Sequence, residues 1–398
     1  MASRDTIDRR PWFEDLWFGK LRLEQHALVA GLIPVSWIYR AGQGVRNAFW
    51  RFAKKRAPIR TISVGNLTVG GNGKTPFTLF LASRMQAHGL SVGIVSRGFG
   101  REVRKGRAAL VSDGTSIKLS AEQAGDEPLM MAKSFRGPIA VAARRIDGIR
   151  LLTEIAHPDV IVLDDAFQHR ALARDVDLVL INRERGFGNG HLIPAGPMRE
   201  PLRAIGRADA AIIVSNGTAE RRSSITRRQM RAITQTTVLH AALRPKSLIH
   251  NEQGKCIEVP VAMAGRRVLA VSGLADPSGF YAMLHQADTD LVGVLEYPDH
   301  HAYNAADWQT IVKAAMDADI VLTTEKDLVK LERFPFARDS LYALRLEVVM
   351  SAEDTARLDE IVLGRAPTVA VDDAGQQPED FSNAHQPGIA RHTRLSEM

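Results

Sequence analysis

From Ile59 onward the chain alternates short apolar runs with longer amphipathic stretches. Arg60–Val64, Val92–Ser96, Ile139–Ala142, Val160–Leu163, Leu178–Ile181 and Ala210–Val214 have the length and β-branched content of buried strands. Segments between them, such as Pro76–Ala87 and Asp147–Ala156, read as helices. Strands and helices in alternation predict an α/β fold with a doubly wound parallel sheet. Residues 236–260 break the pattern. Thr236–Ala242 and Cys256–Val261 read as strands flanking the polar turn Asn251-Glu252-Gln253-Gly254, a β-ribbon. A second, smaller α/β unit follows, with strands at Val268–Ser272, Leu291–Leu295, Ile320–Thr323 and Leu341–Leu346. The expected organisation is an N-terminal segment (1–58), a core (59–235), a ribbon linker and hinge (236–265), a second lobe (266–365) and a polar, disordered tail (366–398).

The segment 1–58 has a different composition. It holds four of the five tryptophans, Trp12, Trp17, Trp37 and Trp50, with Phe13, Phe18, Tyr39, Phe49 and Phe52 beside them. Its longest apolar run, Ala27–Tyr39, is interrupted by Pro34 and Ser36, and it is too short to span a bilayer, which takes roughly 20 residues. The charged opening (Arg4, Asp5, Asp8, Arg9, Arg10) argues against a cleavable signal. Aromatic residues next to Lys and Arg are the composition of a membrane-interface element. The alternative is a helical hairpin packed on the core with solvated basic faces.

Charge sharpens the first reading. The formal net charge is +7, and no Asp or Glu occurs from Gln25 to Arg101, a stretch that carries eleven Lys and Arg. Such a region favours anionic partners. Nucleic acid is the least expected of them, because no nucleic-acid-binding module is recognisable. The lone cysteine, Cys256, excludes an internal disulfide framework and points to a reducing compartment.

Between the first predicted strand and helix lies Gly65-Asn66-Leu67-Thr68-Val69-Gly70-Gly71-Asn72-Gly73-Lys74-Thr75. A glycine-rich turn leading into a helix that opens with Lys-Thr is the signature of a P-loop. Its backbone N–H groups turn inward around phosphate oxygens, and the helix start adds partial positive charge. Thr68, Val69, Gly70, Gly71, Asn72, Gly73, Lys74 and Thr75 are therefore the expected nucleotide cradle. Lys74 would reach the β- and γ-phosphates, and Thr75 would offer its hydroxyl to Mg²⁺. Thr68 takes the first glycine position of the usual pattern, with Gly70 and Gly71 supplying the freedom. Val160–Leu163 then runs into Asp164-Asp165, a Walker-B arrangement that brings carboxylate to a magnesium ion at the strand's end. The expected fold is thus P-loop NTPase-like, with a second, smaller α/β domain joined by the ribbon.

Several further motifs occur in order along the chain. They are Ser63-Val64-Gly65-Asn66, Ser96-Arg97-Gly98-Phe99-Gly100-Arg101, Gly125-Asp126-Glu127-Pro128, Asp164-Asp165-Ala166-Phe167-Gln168-His169, Pro194-Ala195-Gly196-Pro197-Met198-Arg199-Glu200-Pro201, Asp299-His300-His301 and Thr324-Glu325-Lys326-Asp327. Together they resemble the tetraacyldisaccharide 4'-kinase family from about residue 12 to 350, although that family often has Tyr where this chain has Phe99. The resemblance implies ATP-dependent, Mg²⁺-assisted phosphorylation of the 4'-hydroxyl of a tetraacylated glucosamine disaccharide 1-phosphate, a lipid A precursor. It also implies work at the cytoplasmic face of the bacterial inner membrane, against an anionic surface. It implies Asp126 as base with His300 oriented against it, which requires the two lobes to close. Arg199 is assigned to transferring charge, and Asp165 and Gln168 join Thr75 as metal-shell candidates. Arg97, Glu127, Asp164 and His169 are candidate substrate contacts. Thr324–Asp327 either lines the nucleotide site or caps the following helix. A nucleotide switch acting on a partner protein and an ATP-dependent ligase are the rival readings.

Overall fold

The computed structural model describes residues 12–19, 22–98, 108–216, 223–252, 255–261, 263–336 and 340–364. The expectations for Phe99, Gly100 and Arg101, for the turn residues 253–254 and for the tail 366–398 lie outside these.

The chain opens with α1 (Trp12–Phe18) and α2 (Leu23–Phe52), followed by β1 (Lys55–Arg56) and β2 (Arg60–Asn66). After the glycine loop come α3 (Lys74–Ala87), β3 (Val92–Ser96), β4 (Ala109–Asp113), α4 (Ala121–Ala124), α5 (Asp126–Ser134), β5 (Pro138–Val141) and α6 (Arg145–Ala156). Next are β6 (Val160–Asp164), β7 (Leu172–Ala173), β8 (Val176–Asn182), β9 (Ala210–Ser215) and α7 (Arg227–Ile233). The ribbon is β10 (Thr237–Glu252) with β11 (Lys255–Pro260), and then β12 (Arg267–Ser272), α8 (Ser278–Gln286), β13 (Asp290–Glu296) and α9 (Ala305–Ala314). The last elements are β14 (Ile320–Thr324), α10 (Glu325–Leu331), β15 (Leu341–Met350) and α11 (Ala352–Leu363).

A single 13-stranded sheet runs in the order β13-β12-β14-β15-β10-β9-β8-β2-β6-β3-β5-β4, with β11 branching from β10. Along it, only the β10–β15, β10–β11 and β4–β5 pairs are antiparallel. The architecture is therefore mixed α/β with one large, mainly parallel sheet. The ribbon strand β10 makes it continuous. Its first half pairs with β9 in parallel from Thr237 to Ala242. Its middle pairs with β15 from Ala241 to Ile249, with a bulge around Pro245 where proline has no N–H for the ladder. Strands β2, β3 and β6 are buried almost throughout, as parallel strands covered on both faces should be.

Helix α2 runs unbroken through Pro34, where the apolar pattern had suggested an interruption. Proline removes one backbone donor from a helix. Here the surrounding turns are held by packing on one side. Val29, Ser36 and Gln43, seven residues apart, are buried. Ile38, Val45 and Phe52, also seven apart, are 73%, 74% and 90% exposed. Seven residues are nearly two helical turns, so each set lines one side, and an offset of two residues puts the sets on opposing sides. Among the described residues no helix is long and apolar enough to cross a membrane.

Leu129 and Met130 of α5 pack with Val329 of α10, and Lys133 pairs with Glu332. This contact brings the last third of the chain against the first. The carboxyl ends of parallel strands β2, β3, β6, β13 and β14 carry the motif residues, which is where open α/β sheets collect ligands.

Candidate active site

The glycine loop leaves β2 at Asn66 and enters α3 at Lys74. Gly70 and Gly73 have φ of 99° and 71°, values that disfavour a side chain. The loop is knitted by its own polar groups. Asn66 Nδ2 donates to the Thr68 carbonyl (2.7 Å), and Asn72 Nδ2 donates to Thr68 Oγ1 (3.1 Å) and to the Gly70 carbonyl (3.2 Å). Thr68 thus ties the loop together through both its carbonyl and its hydroxyl. Val69 N–H donates to the Pro197 carbonyl (2.9 Å), tying the loop to the Pro-Ala-Gly-Pro segment. Gly71 has open space around it, and Thr75 sits buried at the helix start.

Lys74 Nζ is 3.8 Å from Asp165 Oδ1, and Arg199 Nη1 is 3.0 Å from both Asp165 oxygens. Burial would raise the Asp165 carboxyl, but Lys74 and Arg199 hold it well below the usual carboxylate range. Asp164 behaves in the opposite way. It is buried, accepts from Thr78 Oγ1 (3.3 Å) and Ser96 Oγ (3.0 Å), and is pushed up to about 7 by burial and by the charges of Glu127 and Asp165. Two adjacent acids thus take different roles, one ionised at the mouth and one anchored in the core. Glu127, one residue from Asp126, lies within electrostatic reach of Asp164, so the start of α5 and the end of β6 share one cleft.

On the other wall, His300 Nδ1 is 3.5 Å from Asp126 Oδ2. The structure therefore brings the two together across the α5–α10 contact. His300 adopts φ of 60°, an unusual backbone for a residue other than glycine. Its loop is fixed by buried Tyr297 and Tyr303, with His301 stacked on Tyr297 at 4.8 Å and bonded to Asp307 Oδ2 at 2.9 Å. Gln168 Nε2 donates to the Asn66 carbonyl (2.7 Å), which places that side chain beneath the glycine loop. His169 is pushed down to about 4 by burial, with Arg145, Arg174, Arg97 and Arg46 adding their repulsion, so its ring is neutral at physiological pH. Arg97 stands exposed at the end of β3.

Thr324 caps α10, its hydroxyl accepting from Asp327 N–H at 3.2 Å, so the helix-cap reading of the Thr-Glu-Lys-Asp motif holds for Thr324. Lys326, from the same motif, reaches the other wall of the cleft and donates to Asp299 Oδ1 (2.5 Å) and His300 Nε2 (3.3 Å).

Three residues that carry the site escape sequence reasoning. Arg145, 1% exposed, donates to the carbonyls of Ala142, Asp164 and Asp165 and so fixes the twin-aspartate turn from behind. Arg185 stands beside Gly70, pairs with Glu14 of α1 and lies 3.5 Å from Asp276. Lys330, buried in α10, reaches Asp126 Oδ2 at 3.2 Å. Gly65 is explained by contact as well. A Cβ there would sit 2.5 Å from that of Phe167, so glycine lets β2 pass against the turn that follows Asp165.

The N-terminal helix reaches this site directly. Ser36 Oγ donates to the Leu192 carbonyl (2.8 Å) and accepts from Ala195 N–H (3.2 Å). Tyr39 Oη (3.2 Å) and the Gln43 amide both donate to the carbonyl of Arg199. The buried side of α2 therefore holds the arginine that meets Asp165.

A glycine cradle, a lysine and an arginine converging on an ionised aspartate, and an aspartate–histidine pair on the facing wall form a phosphoryl-transfer arrangement. A family profile described as tetraacyldisaccharide-1-P 4'-kinase matches residues 28–366. The tetraacyldisaccharide 4'-kinase of Syntrophus aciditrophicus is 36% identical over 346 residues, 82% of this chain and 90% of that protein. That of Anaeromyxobacter sp. strain Fw109-5 is 34% identical over 90% of this chain and 98% of its own length. Among solved structures, the "apo" form of LpxK from Aquifex aeolicus in complex with ATP aligns with a TM-score of 0.69 and 32% identity, over 84% of this chain and 98% of that one. The match spans both walls of the cleft and the strands that carry them, and this chain belongs to the tetraacyldisaccharide-1-P 4'-kinase family.

Proposed function

We propose that this chain transfers the γ-phosphoryl group of ATP to the 4'-hydroxyl of a tetraacylated glucosamine disaccharide 1-phosphate, in lipid A biosynthesis. The observation that carries the reading is the pairing of two opposed clusters, Lys74–Asp165–Arg199 on one wall and Asp126–His300 on the other. A purely nucleotide-binding switch needs the first cluster only. The second gives an acceptor hydroxyl somewhere to bond. On this reading the fold is P-loop NTPase-like. Residues 59–235 hold the nucleotide, and residues 266–365 form a lobe that closes over the acceptor about the ribbon 236–265.

The residues present fit a magnesium ion. Asp165 and Thr75 offer hard oxygen donors, with Gln168 close by. Among the described residues no group of three or more His, Cys, Asp or Glu is arranged to hold a metal. Mg²⁺ is commonly held by one or two carboxylates together with substrate phosphates. When bound, the ion supplies charge neutralisation between the β- and γ-phosphates. The remaining work falls to the protein. Glycine-loop N–H groups hold the phosphates, and Lys74 and Arg199 turn from Asp165 toward transferring oxygens. Asp126 accepts the hydrogen bond of the acceptor hydroxyl. Arg97, Glu127 and His169 line the acceptor's approach. Purified protein given labelled ATP and the lipid disaccharide 1-phosphate should yield labelled lipid. Nucleotide hydrolysis that ignores the acceptor would sink the kinase reading.

We also propose that α2 seats the enzyme peripherally on the anionic cytoplasmic face of the inner membrane. Its exposed Ile38, Val45, Phe49 and Phe52 enter the interface, with Arg40, Arg46 and Arg51 beside them. Deleting the helix would also strip Ser36, Tyr39 and Gln43 from the Arg199 loop, so point changes test the idea more cleanly. Ile38→Glu, Val45→Glu and Phe52→Glu together should weaken partition onto phosphatidylglycerol vesicles by about 100-fold or more, given about 1.5–3 kcal/mol for each large apolar side chain removed from water. Transfer to acceptor in detergent micelles should persist. Vesicle binding equal to that of the unchanged chain would remove the anchor.

A further inference from the structure

Lys330 occupies a position that the transfer chemistry described above leaves unexplained. It is 8% exposed, in the last turn of α10. Its ammonium lies 3.2 Å from Asp126 Oδ2, 3.2 Å from Asp327 Oδ1 and 3.0 Å from the His301 carbonyl, with the Tyr303 ring 5.3 Å away. An ammonium has three protons to donate, and three oxygens receive them. Burying a lysine is costly unless its charge is paired. Asp327 alone would satisfy that requirement. Instead the same cation also reaches an acid on another helix, Asp126 of α5, and the backbone carbonyl beside His300.

We propose that Lys330 is a positioning residue for acceptor activation, fixing the Asp126 carboxylate and the His300 backbone relative to each other when α5 and α10 are in contact. The inference rests on Asp126 being the acceptor's base. Asp327 makes the cation rigid. It is fully buried and accepts from Gly273 N–H (2.8 Å) and Thr324 Oγ1 (2.8 Å), so it is tied to the ends of β12 and β14. A Cβ at Gly273 would come within 2.8 Å of the Asp327 carboxylate, so the backbone there must be glycine for the acid to sit so close. The chain of contacts therefore runs from the ends of β12 and β14, through Asp327 and Lys330, to Asp126 at the start of α5.

Lys326 completes the frame. It is one helical turn before Lys330, and its ammonium, which has only protons to offer, meets His300 Nε2 as an acceptor. That leaves the Nδ1 proton directed at Asp126. Asp126 is thereby held by an imidazole N–H and an ammonium on the same oxygen, Oδ2, so that Oδ1 is the oxygen left for the acceptor hydroxyl. Burial acts to raise the Asp126 carboxyl, but His300 and Lys330 lower it overall. The charged groups facing it are His300 from the β13–α9 loop, Lys330 from α10 and Glu122 from α4. Glu127 sits on its own helix, Asp327 contacts Lys330, and Lys326 contacts Asp299 and His300.

The test uses full-length protein and compares three variants. Lys330→Gln combined with Asp327→Asn removes both buried charges together and keeps the helix folded. Its turnover at neutral pH should fall about 100-fold, the usual consequence of a misplaced reacting group. Its KM for ATP should stay near that of the unchanged chain, and the acid limb of its kcat profile should move to higher pH, because a cation beside Asp126 is gone. Lys330→Arg should return the limb toward its original position. An acid limb that stays where it was in the folded double variant overturns the proposal, as does a loss confined to KM. Asp126→Asn separates the two layers. If it retains turnover, the base reading itself is wrong. If it is inactive while the Lys330 variants behave as the unchanged chain, only the role of Lys330 falls.

Discussion

A Lys74→Ala chain is expected to keep its fold and to lose phosphoryl transfer by about 10³-fold or more, the scale seen when a cation is taken from a transferring phosphate. The two halves of that expectation come from different observations. The Lys74–Asp165 separation of 3.8 Å, with side chains 14% and 29% exposed, is a loose, partly solvated pair. Asp165 keeps Arg199 at 3.0 Å after the change, so its charge remains paired. The melting temperature should therefore move little. Catalysis is another matter. On the proposed reading the same ammonium meets the charge that accumulates on the leaving β-phosphate of a triphosphate in the glycine loop, and Arg199, already paired with Asp165, is left to meet it alone. Single-turnover transfer of labelled phosphate, with circular dichroism as the folding control, measures both halves. Turnover within tenfold of the unchanged chain would mean that the loop does not hold the reacting nucleotide. Asp165→Asn tests the same ground from the opposite charge, and should abolish magnesium-dependent turnover while Arg145 still holds the carbonyl of that turn.

How far this could be read from sequence follows from the range of each interaction. Strand positions such as Val92–Ser96 and the glycine loop are local patterns, and the structure places them as expected. The splice at β10 is not local. Thr236–Ala242 reads as an ordinary strand, and nothing in it says that it pairs with β9 on one side while continuing as the partner of β15. The α2 helix misleads in a different way. Pro34 breaks the apolar run, but the run is the wrong signal for a helix whose buried side is Val29, Ser36 and Gln43. A polar buried side shows no hydrophobic period. Its reason is that Ser36 and Gln43 bond the backbone of residues 192–199, more than 150 positions away in the chain. The motif residues themselves do converge, Asp126 on His300 and Arg199 on Asp165. Lys330 and Arg145 stayed hidden because a lysine or arginine in an amphipathic helix looks like solvated surface. Only the fold shows one nine-tenths buried against Asp126 and the other wholly buried against Asp164.

Asp126→Asn should lower turnover by about 10²–10⁴-fold, the range for loss of a general base, with nucleotide affinity nearly unchanged. A carboxylate held below its ordinary range looks at first like a poor base. In a loose, metaphosphate-like transition state, however, the attacking hydroxyl keeps its proton until late, so what the base must do is accept a hydrogen bond and hold the oxygen in line. A carboxylate that stays ionised does this at every pH above its own titration. The sign follows from the direction of the shift. Because Asp126 is depressed, its charged form is lost only as pH falls through that lowered value, so the acid limb of the kcat profile should lie below the ordinary carboxylate range. Asparagine keeps the shape and one acceptor oxygen but cannot take the proton, and Lys330 retains Asp327 as its partner, so the variant should stay folded. Its profile should be flat where the unchanged chain shows the limb. If Asp126→Asn instead raised the KM for ATP and left kcat alone, the carboxylate would belong to nucleotide binding and not to the acceptor hydroxyl.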